Sequence, residues 1–149
     1  MIDTKGSLPW SAIVWHHSAT KDGQANDWEA IRRYHIEVKG WRNIGYAFGL
    51  ERENGIIVVR EGRPLSWEGG HCVGWNKIAI GICVVGNFDI VAPDEEILIS
   101  AAKLGRELMA AFPAITPERN FYHRQFSSKT CPGKLFPELS DFRARLANG

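Results

Sequence analysis

The chain has 149 residues, the size of one ordinary domain and enough to bury roughly 70% of its unfolded surface, so one unit over residues 1–149 is expected. Eighteen Lys and Arg against 17 Asp and Glu leave a net charge of +1, which excludes an acidic tail and the basic excess of a dedicated nucleic-acid binder. With 44% hydrophobic and 23% charged residues the composition is globular, and the longest apolar runs, 78–85 and 56–59, are too short to insert in a membrane.

Taken in chain order, the pattern alternates strands and helices without an internal repeat or linker, which predicts an α/β fold. Residues 12–17, Ala-Ile-Val-Trp-His-His, read as a strand. Asn26 or Asp27 can cap a helix in which Trp28, Ile31, His35 and Val38 recur at helical spacing until Gly40 stops it. Residues 46–52 and 56–60, joined through Glu53-Asn54-Gly55, predict an antiparallel hairpin, because Asn-Gly supplies the positive φ angles of a tight turn. A buried strand is expected over 78–85. Pro93-Asp94-Glu95-Glu96 then opens a helix with Ile97, Leu98, Ala101, Leu104, Leu108 and Ala111 on one face and acidic residues at its positive end. A short strand over 121–123 and a helix over 138–146 complete the chain.

Three cysteines are an odd number in a chain of this size, which argues against a disulfide framework. Cys83 lies in an apolar run and reads as a small buried hydrophobe; Cys72, next to His71, reads as structural. Cys131 follows His123 by eight residues and sits at a turn, in Lys129-Thr130-Cys131-Pro132-Gly133, where burial alone does not account for it. His16 and His17 close the first strand and His123 ends the last. Adjacent strand residues point to opposite faces, so only one of the pair can face a given site. Two neutral imidazoles and a thiolate make a three-ligand zinc set that leaves the fourth position to water, the pattern of a catalytic site. For any single histidine, a satisfied structural imidazole is the competing reading.

The chain resembles the zinc-dependent N-acetylmuramoyl-L-alanine amidases of the type-2 amidase and peptidoglycan-recognition-protein superfamily, and the small phage lysozyme-amidases in particular. The likeness runs through four ordered blocks: 13–20 with its His pair, 40–48 with Gly45-Tyr46, 70–76 together with 80–88, and 123–133. It implies a central mixed β-sheet flanked by helices, with zinc at the floor of a surface groove. It also implies one zinc per chain, held by His16, His123 and Cys131, with Tyr46 and Lys129 as catalytic residues and His17 in a variable position.

The implied reaction is hydrolysis of the amide between N-acetylmuramic acid and L-alanine in peptidoglycan, the glycan strand and stem peptide being the partner. Arg42 and Asn43 are candidate contacts to stem-peptide carboxylates, and His71 and Trp75, with Trp41 and Trp67, are candidate groove residues. Met1-Ile2-Asp3-Thr4-Lys5-Gly6 carries no basic segment followed by an apolar one, so synthesis in the cytoplasm without a signal peptide is expected. That suits a phage or prophage endolysin, acting as a monomer after a holin opens the membrane. Three alternatives stay open: a relative that binds peptidoglycan without cutting it, an amidase that also inhibits a phage RNA polymerase, and a cytoplasmic recycling amidase. The first usually lacks the ligand cysteine and the last usually has Asp there, so Cys131 argues for the endolysin class.

Overall fold

The structure, a computed structural model, describes residues 2–19 and 27–149; Thr20 and Asn26, in the first sequence block and at the expected first helix cap, lie outside the described residues. Five strands, β1 (Ala12–His17), β2 (Phe48–Glu53), β3 (Ile56–Glu61), β4 (Ala79–Val84) and β5 (Asn120–Tyr122), form one sheet in the order β3-β2-β4-β1-β5. β1 lies parallel to β4 and β5, β2 parallel to β4, and β2 antiparallel to β3. This is the expected mixed sheet. The hairpin turns where Asn54 and Gly55 take φ of 52° and 80°, as the Asn-Gly pair predicts.

One face of the sheet is covered by α2 (Glu95–Ala111) and α3 (Leu139–Ala147). Asp94 caps α2 by accepting the Ile97 N–H at 3.0 Å, and the apolar stripe of the helix buries Leu98, Ala101, Leu104 and Leu108. Against them pack Ile13 and Trp15 of β1, Ile80 and Ile82 of β4, and Phe142 and Leu146 of α3. Burying one such leucine or isoleucine contributes about 1.5–3 kcal/mol. Gly105 lets the layers close, since a Cβ there would meet Leu146 at 2.5 Å and Trp15 at 3.2 Å. Trp15 is wholly buried, and its indole N–H donates to Asn120 Oδ1 at 2.9 Å, so the polar atom is not stranded.

The opposite face carries α1 (Trp28–Arg33), capped by the Asp27 carboxylate accepting from Ala30 N–H at 2.8 Å. The expected single helix to Val38 changes geometry midway: Tyr34–Val38 is a π-helical turn, ended by Gly40 at φ 72°. Such widened turns occur often at functional sites. Gly49 of β2 seats this helix, because a Cβ there would overlap the Trp28 ring at 2.3 Å. Two element ends differ from expectation: Tyr46 precedes β2 instead of opening it, and His123 begins a short 3-10 turn, His123–Gln125, rather than ending β5.

Candidate metal centre and active site

The site grows from strand alternation. Ile13 and Trp15 point into the core under α2, so Val14 and His16 point to the other face, where β4 presents Gly81 and Cys83 and β5 presents Phe121. His16 and His17 therefore part company. His17 turns to the α2 side, stacks on Phe88 with ring centroids 6.1 Å apart, and accepts the Phe88 N–H on Nδ1 at 3.1 Å. His16 lies 4.5 Å from His123 between ring centroids and 5.0 Å from Tyr46.

Because β1, β4 and β5 are parallel, the residues leaving their C-terminal ends converge on one edge, the usual place for a site in such sheets. His16, His123 and Cys131 each offer a ligand atom, and all three atoms lie within 4.8 Å of one another. Cys131 is delivered by a loop tied at several points. Its carbonyl accepts the Arg124 N–H at 2.7 Å, and its Sγ accepts the His17 N–H at 3.3 Å. Next to it, Thr130 Oγ1 donates to Asp89 at 2.8 Å, and the same carboxylate accepts the Lys134 N–H at 2.8 Å. Those two bonds hold the Asp89 carboxyl below its usual range.

The three donors form the floor of a cavity of about 850 Å³. One wall comes from α1 and the π turn, through Ile31, Tyr34, His35, Lys39 and Trp41; the other comes from 128–130, with Lys129 on the lip. Burial lowers the pKa of His16 well below the ordinary histidine value, with help from the neighbouring histidines, and lowers that of His123. Burial also holds His71 and His35 to about 4, so at neutral pH these imidazoles are uncharged. The Cys131 thiol is pushed up to about 12, again by burial. Two neutral imidazoles and a buried thiol are a donor set that suits a divalent cation of zinc's type.

Tyr46 reaches the cavity from the loop before β2. Burial raises its phenol well above the usual value, followed by the nearby Cys83 and Cys131 thiols and a hydrogen bond to Cys83; it stays protonated and can serve as a donor. Cys83 is fully buried and Cys72 packs with Ala12, Val14 and Ala79, while all three cysteines are free, as the odd number suggests.

The remaining candidates separate. His71 reaches the cavity and contacts His16. Arg42 stacks over Trp67, its guanidinium 4.0 Å from the ring centre, in a neighbouring depression of about 490 Å³ that shares Trp41. Asn43 Oδ1 accepts the N–H of Ile44 at 2.8 Å. Trp75 does not line either cavity: it packs on Phe126 and Phe121, with Arg119 over its ring. His35 and Asp89 are among the cavity residues that carried no functional reading in the sequence. His35 looked like one more apolar-face position of a helix, and Asp89 lies just past a strand that parallels the His16 strand, a placement that was a usable signal.

The N-acetylmuramoyl-L-alanine amidase family model matches residues 6–134, and the chain belongs to that family. It is 28% identical over 140 residues to the human N-acetylmuramoyl-L-alanine amidase, an alignment covering 89% of this chain and 24% of the human protein. It is 40% identical over 78 residues to the endolysin of Escherichia phage T7, covering 52% of this chain and 49% of that one. The chain thus spans about a quarter of the human relative and about half of the phage one. The solved endolysin amidase LysCS of Clostridium intestinale superposes with a TM-score of 0.78 at 30% identity, over 95% of this chain and 86% of that one. No helix among the described residues is long and apolar enough to cross a membrane.

Proposed function

We propose that this chain is a zinc-dependent N-acetylmuramoyl-L-alanine amidase that cuts the bond between the lactyl group of N-acetylmuramic acid and L-alanine. The observation that carries the reading is the convergence of His16, His123 and Cys131 beneath an open groove, in a chain of the amidase family. Bound by those three donors, zinc would activate a water and polarise the scissile carbonyl.

The protein's own groups do the rest. Lys129, on the lip, brings a cation to the side where negative charge builds on the carbonyl oxygen; a donor in such a role is worth about 2.7–4 kcal/mol. Tyr46, protonated at neutral pH, is a donor to the same region and not a base. The tied Thr130–Cys131 loop holds Lys129 and the thiol in register, so the groups need little rearrangement during reaction. Water adds to the carbonyl carbon, the C–N bond breaks, and the amine leaves with a proton as a new L-alanine N-terminus. Trp41 and Tyr34 on the groove wall suit the apolar faces of sugar or peptide.

In this reading the protein acts on peptidoglycan as a monomer. The family, together with the likeness to an endolysin, supports a lytic role; in this reading the protein waits in the cytoplasm until a holin admits it to the wall. Residues 1–149 act in this reading as one amidase unit with no nucleic-acid partner. The test is zinc content together with release of L-alanine amino termini from purified cell wall. Wild type should hold about one zinc per chain and release them; Cys131→Ser, nearly isosteric but a poorer ligand, should keep its fold and sediment with the wall while losing both. Undiminished hydrolysis by Cys131→Ser overturns the mechanism, and a wild type that binds wall without cutting it favours a recognition protein.

A further inference from the structure

His71 has both ring nitrogens engaged inside the protein. Its Nε2 lies 2.9 Å from the carbonyl oxygen of Ala79, and its Nδ1 lies 2.9 Å from Nε2 of His16. A carbonyl oxygen only accepts, so His71 Nε2 carries the proton. A neutral imidazole has one N–H, which leaves His71 Nδ1 as a lone pair. The proton between the two rings must then sit on Nε2 of His16, and the only lone pair of His16 is on Nδ1.

The surroundings are built to hold this ring. Gly81, in the strand beside His16, leaves room for it, since a Cβ there would come within 2.5 Å of the ring carbons; a Cβ on Gly69 would meet it at 2.6 Å. Asn76 Oδ1 accepts the backbone N–H groups of His71 and Cys72 at 2.8 and 2.9 Å. Buried Cys72 anchors the loop against Ala12, Val14 and Ala79. Three separate features, two glycines and an asparagine clamp, thus serve the placement of one imidazole.

We propose that His71 is a positioning residue: it fixes His16 as the Nε2–H tautomer and holds its ring, so that Nδ1 is the atom His16 offers to the metal. The chain of donors runs from His16 Nε2–H to His71 Nδ1 and from His71 Nε2–H to the Ala79 carbonyl, and it ends on a backbone atom of the sheet itself. This deepens the zinc reading above and rests on it for the metal, whereas the proton placement stands on the two contacts alone. Partners of this kind typically change metal affinity 10–100-fold when removed.

Two measurements test it. Nitrogen NMR on metal-free protein labelled at histidine should find the proton on His16 Nε2, a bare His71 Nδ1, and a scalar coupling across the N–H···N bond. Zinc titrated against a chromogenic chelator should bind about 10–100-fold more weakly to His71→Ala. His71→Asn, whose Oδ1 can accept the same proton from near the Nδ1 position, should return most of that affinity, which a merely space-filling role would not require. Thermal melting identifies a variant that has failed to fold, and the NMR result on wild type does not depend on either variant. A proton on His71 Nδ1, an alanine variant binding zinc as tightly as wild type, or an asparagine variant no better than alanine overturns the proposal. A wild type with protons placed as expected that takes up no zinc overturns the zinc reading and supports the tautomer assignment.

Discussion

The two faces of the sheet use the same strands for opposite purposes. Toward α2 and α3, β1 and β4 give Ile13, Trp15, Ile80 and Ile82 to the main core; toward α1 they give His16 to the floor of a groove, while Val14, Gly81 and Cys83 pack beneath Cys72, His71 and Trp28. What separates a core residue from a site residue is one step along the chain. Large side chains of the strands fill the first face, while on the second Gly81 and Gly49 leave room for the rings of His71 and Trp28, brought in from outside the sheet. The lesson is that small residues in strands decide where the rings beside the site can seat.

The sharpest way to break that comparison is to exchange the fates of the two adjacent histidines. His16→Ala should lose most bound zinc and at least about a thousandfold of activity, several kcal/mol of transition-state stabilisation. His17→Asn should keep the zinc, because the His17 ring is occupied by Phe88 on the other face; its cost is about 1 kcal/mol of stability for the lost Phe88 N–H bond. Metal analysis with a wall-hydrolysis assay distinguishes them. Zinc loss in His17→Asn, with zinc kept in His16→Ala, would show that the faces have been assigned in reverse.

Much of this was legible in the sequence, and the part that was not has a physical cause. The core stripe of the long helix, the Asn-Gly turn and the short strands follow from local patterning, and each stands within a residue or two of its expected bounds. Strand alternation alone required His16 and His17 to diverge, but which one meets His123 depends on pairing between β1, β4 and β5, residues more than 60 positions apart. The π turn at Tyr34 was invisible because its apolar spacing is that of an ordinary helix. The engagement of His71 with His16 was invisible for the same reason as Gly81: its meaning lies in a neighbour supplied by another strand.

Acid should weaken the site face before the core. His35 and His71 have folded-state values of about 4, and burial also lowers His16, His17 and His123, whereas unfolded histidines titrate near 6.5. Above about pH 7.5, a unit beyond that value, both states are essentially neutral and little difference arises. As pH falls from there toward 4, the unfolded chain binds protons that the folded chain refuses, so stability declines with pH across that window. The limiting slope is about 1.4 kcal/mol per pH unit for a buried group such as His71, and less for half-exposed His35. Urea unfolding of metal-stripped protein between pH 7 and 4.5 should follow this direction. Stability that is flat or rising on acidification would refute it.

The core face makes a complementary prediction. Leu108→Ala removes a fully buried side chain of α2 and should cost about 2–5 kcal/mol, read by denaturant unfolding, while zinc affinity of the folded protein stays unchanged. A parallel loss of affinity would mean that the two faces are energetically coupled through the sheet.

The smallest expected effect repeats the one-step comparison on β2. Glu51 faces α1: it is 9% exposed, accepts the Trp28 N–H at 3.1 Å and pairs with Arg60 at 2.6 Å, so it ties the groove wall to the sheet. Arg52, the next residue, reaches the start of α2, pairing with Asp94 at 2.5 Å and Glu96 at 3.1 Å, with all three side chains a third or more in water. Glu51→Ala strands the Trp28 N–H and should cost about 1–3 kcal/mol, with a looser α1 and weaker wall binding. Arg52→Ala removes two ion pairs and an exposed hydrogen bond to the Gly55 carbonyl, yet should cost under about 1 kcal/mol, because exposed pairs gain little over hydrated charges and are screened by salt. Melting of both variants at low and high salt decides the matter. If Arg52→Ala proves as costly as Glu51→Ala, and stays so in high salt, then burial is not what separates the two pairs and the contrast between the faces at this strand is lost.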